Sequence, residues 1–269
     1  MIRTFLNNLL VEIYQFNFNK VYRKDKKEYD KYFKESLDAI RLRYNSRDEI
    51  YRFMNYLFNF SLNTELKDHR LYFSKQSRGF GEDALHAMWW ILFKEFKPKS
   101  CLEIGVYRGQ VISLWALLAK LNNDSISISG VSPFSSSGDE VSEYLKGLNY
   151  YEDVKHNFKL FSNQNPTLFQ GFSNENKSIE FIENGRWDLI YIDGSHDYDV
   201  ALSDYNICKN ALSKGGLLVL DDSSLYTDYH PPQFGFAGHP GPSKIVIENA
   251  MNEMDFVIGV GHNNVFKKR

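Results

Sequence analysis

From residue 99 to residue 269 the chain alternates short apolar runs with helix-length stretches, and this alternation constrains the fold more than any other feature. Ser100 to Val106 is a short apolar run ending at a glycine, and Gln110 to Leu121 is compatible with a helix. Ser125 to Val131, Thr167 to Phe172 and Trp187 to Ile192 read as further strands, and residues 197 to 212 as a helix. Gly215-Gly216 breaks the chain before the apolar Leu217 to Leu220, while Phe256 to Val260 and Val265 to Lys267 are placed to form a closing hairpin. Strands separated by helices favour an open, mostly parallel sheet with helices on both faces.

Residues 1–98 follow another pattern. They are rich in Tyr, Phe, Lys and Arg and nearly devoid of Gly and Pro, with apolar side chains at helical spacing (Tyr32, Phe33, Leu37, Ile40, Leu42, then Ile50, Phe53, Leu57 and Phe58). The expectation is several helices within residues 1 to 70, forming an extension or cap before a domain at 99–269. The length agrees, since 269 residues amount to roughly 1.8 domains of ordinary size. The basic run Arg23 to Lys27 contains an acid and reads as a solvated helix face.

The formal charge of −2 excludes the strongly basic footprint of a general nucleic-acid binder. Cys101 and Cys208 both lie in apolar stretches, as reduced, buried thiols do. No apolar run approaches the ~18 residues of a membrane span, and Asn7, Asn8 and Glu12 interrupt the apolar opening. The expectation is a cytoplasmic protein.

Leu102-Glu103-Ile104-Gly105-Val106-Tyr107-Arg108-Gly109 puts two glycines, four apart, between a strand and a helix. A backbone that turns sharply beside a ligand needs glycine, and the following helix offers its N-terminal amides to polar groups. The third glycine of the dinucleotide fingerprint is missing, and there is no phosphate loop. A tight turn without a ligand would use the same residues.

Two later strands end in acids. Trp187 to Ile192 runs into Asp193-Gly194-Ser195-His196, and Leu217 to Leu220 into Asp221-Asp222. Ligands of open parallel sheets bind beyond the carboxyl ends of the strands. There, three crowded carboxylates are accommodated by a raised pKa or by a hard cation such as Mg²⁺, Ca²⁺ or Mn²⁺, unless some of them merely cap turns. His196 is placed to act as a base or to cap the next helix.

Glu103-x-Gly105-x-x-x-Gly109 resembles the first motif of the class I S-adenosylmethionine-dependent methyltransferases. Ile192-Asp193-Gly194-Ser195-His196, followed by Gly215-Gly216 and Asp221-Asp222, is similar to the small-molecule O-methyltransferases of the catechol and sugar-modifying types. The resemblance implies a Rossmann-like, doubly wound, mostly parallel seven-stranded α/β sheet closed by an antiparallel hairpin. It implies S-adenosylmethionine as cofactor, held by Glu103, Gly105, Val106, Tyr107, Gly109, Ser132, Ser173 and Asp193. It also implies a divalent metal, Mg²⁺ first, on Asp193, Asp221 and Asp222, with His196 and Asp193 catalytic, and a small-molecule acceptor such as a sugar. Ser132 stands where many relatives carry a ribose-binding acid, and Asp139 and Glu140 follow as substitutes.

Arg78 to Asp83 precedes a helix with His86, Trp89 and Trp90, the two indoles reading as core. The Pro- and Gly-rich segment from Pro231 to Pro242 is placed to overhang the crevice after Asp222. The helical extension is the expected seat of acceptor choice or of self-association into a homo-oligomer. Two competing classes are a nicotinamide-dependent oxidoreductase on the same sheet and a non-catalytic, methyltransferase-like binding protein.

Overall fold

Side-chain oxygens cap three helices between residues 36 and 74. Ser36, Ser46 and Asn63 accept from the amides of Ala39, Glu49 and Leu66 at the starts of α1 (Leu37–Arg43), α2 (Arg47–Phe60) and α3 (Thr64–Phe73). The computed structural model describes residues 36–135, 145–233 and 235–269, along with Ile13, Phe16 and Lys20. The basic run Arg23 to Lys27, the apolar Tyr32 and Phe33, and the acids Asp139 and Glu140 lie outside the described residues.

The expected alternation follows α4 (Asp83–Phe96) as β1 (Ser100–Ile104), α5 (Gln110–Leu121), β2 (Ser127–Ser132), α6 (Tyr150–Phe161), β3 (Thr167–Gln170), α7 (Asn176–Asn184), β4 (Trp187–Ile192), α8 (Tyr198–Ala211) and β5 (Leu212–Leu220). A short helix α9 (Pro240–Ile245) runs through a π-helical turn (Val246–Ala250) towards the hairpin of β6 (Asp255–Val260) and β7 (Asn263–Lys267). The seven strands lie in the order β3-β2-β1-β4-β5-β7-β6. β1 to β5 pair in parallel, and β7 is wedged antiparallel between β5 and β6. β5 begins at Leu212, before the Gly215-Gly216 pair rather than after it. Gly215 continues the strand at φ +77°, and the pairing with β4 is irregular between Trp187 and Leu189.

Successive strand residues face opposite sides, so each side of the sheet has its own core. Leu102, Ile104, Ile190 and Ile192 pack with Ala201, Tyr205 and Cys208 of α8. Cys101, Leu189 and Tyr191 pack on the other side with α5. This second core continues into α2 and α4 through Phe53, Leu57, Met88 and Trp89, so the helical extension is fused to the sheet by one apolar interior. A polar seam crosses the same junction. His69 on α3 hydrogen-bonds His86 on α4 (3.1 Å) and Ser113 on α5 (3.0 Å), and both imidazoles are buried. Burial holds both below the ordinary histidine range, His86 at about 3, so they are neutral bridges. No helix among the described residues is long and apolar enough to cross a membrane.

Candidate active site

β1, β2, β4 and β5 end at one edge of the sheet, where a cavity of about 650 Å³ opens. Its first wall is the glycine turn. Gly105 bonds through its amide to Val131 O (2.9 Å) at φ +93°, and a Cβ there would stand 1.8 Å from the carbonyl oxygen of Asp193. Glycine is therefore required by both backbone conformation and close approach. Gly109 caps the start of α5 at φ +82°. Val106 is buried, and the Tyr107 ring lies between those of Phe80 and Tyr150, at 5.3 and 5.5 Å. Glu103 is almost wholly buried, with Oε2 lacking a hydrogen-bond partner; burial and the nearby Asp221 push its pKa up to about 8.

The helical extension supplies the facing wall. Gly81 donates its amide to Gln110 Oε1 (3.0 Å). Arg108, paired with Asp153 at 2.7 Å, donates to the carbonyl of Gln76 (2.9 Å) and ties down the strap that carries Arg78 to Glu82. Ser132 also lines the cavity, but its hydroxyl donates to Val106 O (2.9 Å) and so serves the glycine turn itself. Ser173 lines the cavity too, near the buried Asp204, whose pKa burial raises to about 6.

Acids and imidazoles gather at the far end. Asp193 ends β4 and is half-buried; Asp221 and Asp222 follow β5. Asp222 has a φ of +48°, a conformation that few side-chain-bearing residues adopt. Its Oδ2 accepts from His196 Nε2 at 2.9 Å and lies 3.9 Å from His239 Nε2. His262 Nε2 lies 3.3 Å from Asp221 Oδ1 and 3.9 Å from Asp222 Oδ1. Burial and the charges of Asp221 and Asp222 push the Asp193 carboxyl well up, and burial with the Asp222 charge raises Asp221. Burial would raise Asp222 as well, but the His196 hydrogen bond and the charges of His262, His196 and His239 hold it below the usual range. Burial opposes a charge on His262, yet Asp221, Glu82 and Asp222 together raise its pKa.

His262 is the residue that sequence reasoning left without a role, whereas His239 lies in the Pro231 to Pro242 loop expected to overhang the crevice, and it lines the cavity. His239 sits between Gly238 and Gly241, whose Cβ atoms would fall 2.2 Å from the carbonyls of Asp222 and His196 respectively. That glycine spacing in the Pro- and Gly-rich loop is the signal of a backbone drawn into the crevice. His262 follows Gly261 (φ +58°) in the β6–β7 turn, which the expected hairpin locates in the chain but not beside the ends of β4 and β5.

The residues fit both groups that the fold family implies. The Cβ-free cradle at Gly105 and the unpartnered carboxyl oxygen of Glu103 suit a cofactor with a polar amino-acid end. Asp221, Asp222 and His262 offer ligand atoms within 4.8 Å of one another, as do His196, Asp222 and His239, a donor set that suits a divalent cation.

Strand order, glycine turn and acidic strand ends together define the class I methyltransferase fold. Residues 102–223 match the model of a family described as a methyltransferase domain. An uncharacterized protein of Acanthamoeba polyphaga mimivirus is 30% identical over 148 residues, which span 55% of this chain and 59% of the relative. Among solved structures, an O-methyltransferase from Bacillus cereus in complex with S-adenosylhomocysteine is similar with a TM-score of 0.53 at 12% identity, covering 82% of this chain and 100% of that one. A Podospora anserina methyltransferase bound to S-adenosylhomocysteine gives a TM-score of 0.50 at 16% identity, over 77% of this chain and 88% of the other.

Proposed function

We infer that the protein transfers the methyl group of S-adenosylmethionine to a hydroxyl of a small molecule, such as a sugar, with a divalent cation assisting. The observation that carries this reading is the single cavity joining the glycine turn to the Asp193, Asp221, Asp222 and His196 cluster. A volume of about 650 Å³ suits a cofactor and a small acceptor.

When bound, S-adenosylmethionine supplies an electrophilic methyl group, and the cation lowers the pKa of the acceptor hydroxyl. Gly105, Val106, Tyr107 and Glu103 hold the cofactor end, with Gly109 setting the helix behind them. Asp193, Asp221 and Asp222 provide carboxylates for the cation. His196 takes the acceptor proton, and the resulting imidazolium is stabilised by Asp222 at 2.9 Å. Registering donor and acceptor for in-line displacement accounts for the rest of the rate. The strap from Arg78 to Glu82 and the loop bearing Phe236 and His239 line the cavity opposite the strand ends and select the acceptor. We place self-association on the helical extension, where Leu42 of α1 is exposed.

Calorimetry with S-adenosylhomocysteine tests the cofactor, and a radiolabelled methyl-transfer screen over sugars, catechols and other hydroxyl compounds tests the acceptor class. Saturable binding with transfer to a hydroxyl is expected. Absence of binding at millimolar ligand overturns the reading, and binding with transfer only to nitrogen acceptors overturns the O-methylation.

A further inference from the structure

His262 and Glu82 both lie outside the segment matched by the family, and the reaction above assigns neither a step. His262 is 7% exposed, and its Nε2 faces the two acids that follow β5, at 3.3 Å from Asp221 and 3.9 Å from Asp222. Its Nδ1 is buried, the ring has a backbone hydrogen-bond neighbour at Phe236, and Glu82 Oε1 stands 4.0 Å from Nδ1. Glu82 is held in turn by Tyr51 on α2, whose hydroxyl donates to Oε2 at 2.6 Å. A histidine that ligates a metal commonly turns its second nitrogen to a carboxylate, which fixes the ring and raises its basicity. Tyr51, Glu82, His262, then Asp221 and Asp222 lie in that order from the helical extension into the strand ends, with Glu82 and His262 4.0 Å apart and close enough to pair once the ring is held by a cation.

The geometry points to a mixed-donor site in which Asp221, Asp222 and Nε2 of His262 bind a first-row transition ion of the Fe²⁺, Co²⁺ or Zn²⁺ kind in preference to Mg²⁺. Glu82 is the positioning residue behind His262. Mg²⁺ favours an all-oxygen, largely hydrated shell, whereas an imidazole nitrogen favours the later transition ions. The assignment rests on the metal-assisted reading for its place in the cavity, but it concerns affinity and needs no turnover to be measured.

The full chain, treated with chelator and dialysed, is titrated with Co²⁺ and separately with Mg²⁺ by calorimetry, and the Co²⁺ complex is followed by visible absorption. Co²⁺ is expected to bind at least about tenfold tighter than Mg²⁺ and to give ligand-field bands perturbed from those of the aqueous ion. His262→Gln keeps a polar side chain; it is expected to weaken Co²⁺ about 10- to 100-fold and to narrow the preference. Glu82→Gln is expected to weaken Co²⁺ about tenfold with an unchanged circular dichroism spectrum. Equal affinity for the two ions, no binding of either, or a His262→Gln variant with unchanged Co²⁺ affinity overturns the assignment. S-adenosylhomocysteine binding, measured on the same samples, separates the two ideas. Cofactor binding without metal binding removes only this assignment, while metal binding without cofactor binding removes only the methyltransferase reading.

Discussion

The two ends of the cavity are built by different means. At the end of β1 the backbone provides the site: Gly105 at φ +93° against the Asp193 carbonyl, Gly109 starting α5, and Glu103 inside the strand. All three fall within seven consecutive residues. At the ends of β4 and β5 side chains provide it, and they arrive from the β4–α8 turn (His196), the end of β5 (Asp221 and Asp222), the loop before α9 (His239) and the β6–β7 turn (His262). A site made of backbone fails by steric clash. A site made of titratable side chains fails by losing charge, so single substitutions distinguish the two ends.

The largest effect is expected at the backbone end. Gly105→Ala sets a Cβ into the Asp193 carbonyl at a positive φ and is expected to cost about 4 kcal/mol or more, read by urea denaturation, with cofactor binding lost. A well-folded variant that still binds S-adenosylhomocysteine would remove the cradle from the argument. At the other end, Asp222→Asn preserves shape, and asparagine tolerates the left-handed backbone. Its kcat is expected to fall at least about a hundredfold in the methyl-transfer assay, with cofactor affinity little changed. A matched loss of cofactor affinity would show that the two ends are not separable.

Glu103 tests the border between the ends through pH. Burial pushes its carboxyl up to about 8 in the fold from the ordinary 4.5, so the native state holds a proton that the unfolded chain releases. The stabilisation is complete below about pH 4.5 and is lost as pH rises through about 8, at up to about 1.4 kcal/mol per pH unit within that window. Glu103→Gln is expected to flatten this slope in denaturation measured across the window, and to be more stable than wild type at its upper end. An unchanged slope would assign the pH dependence elsewhere. The smallest effect is expected from Ser132→Ala. Losing the bond to Val106 O should cost about 1 kcal/mol of stability and weaken S-adenosylhomocysteine binding by no more than that. A much larger loss of affinity would return Ser132 to direct cofactor contact.

The same contrast explains what the sequence revealed. The glycine turn was legible because its whole geometry lies within one strand-to-helix passage. Asp193, Asp221 and Asp222 were legible because a parallel sheet gathers strand ends at one edge, wherever they fall in the chain. His262 was not, since its position depends on β7 inserting between β5 and β6, a pairing that no local pattern encodes. Glu82 was visible only as part of a polar segment before α4. The extension read as a cap, and its apolar faces continue the core on one side of the sheet through Phe53, Leu57 and Met88. Ser132 was placed correctly at the end of β2, but which way its hydroxyl bonds follows from the path of the neighbouring turn.

Trp89 has a consequence for observing this protein at work. Its indole lines the cavity and meets Trp115 and Tyr191 edge-on at 5.3 Å each. A ligand entering beside Glu103 therefore changes the surroundings of a fluorophore already coupled to two neighbouring rings. The chain carries its own optical gauge of occupancy, and stopped-flow emission can time the arrival of cofactor without any label.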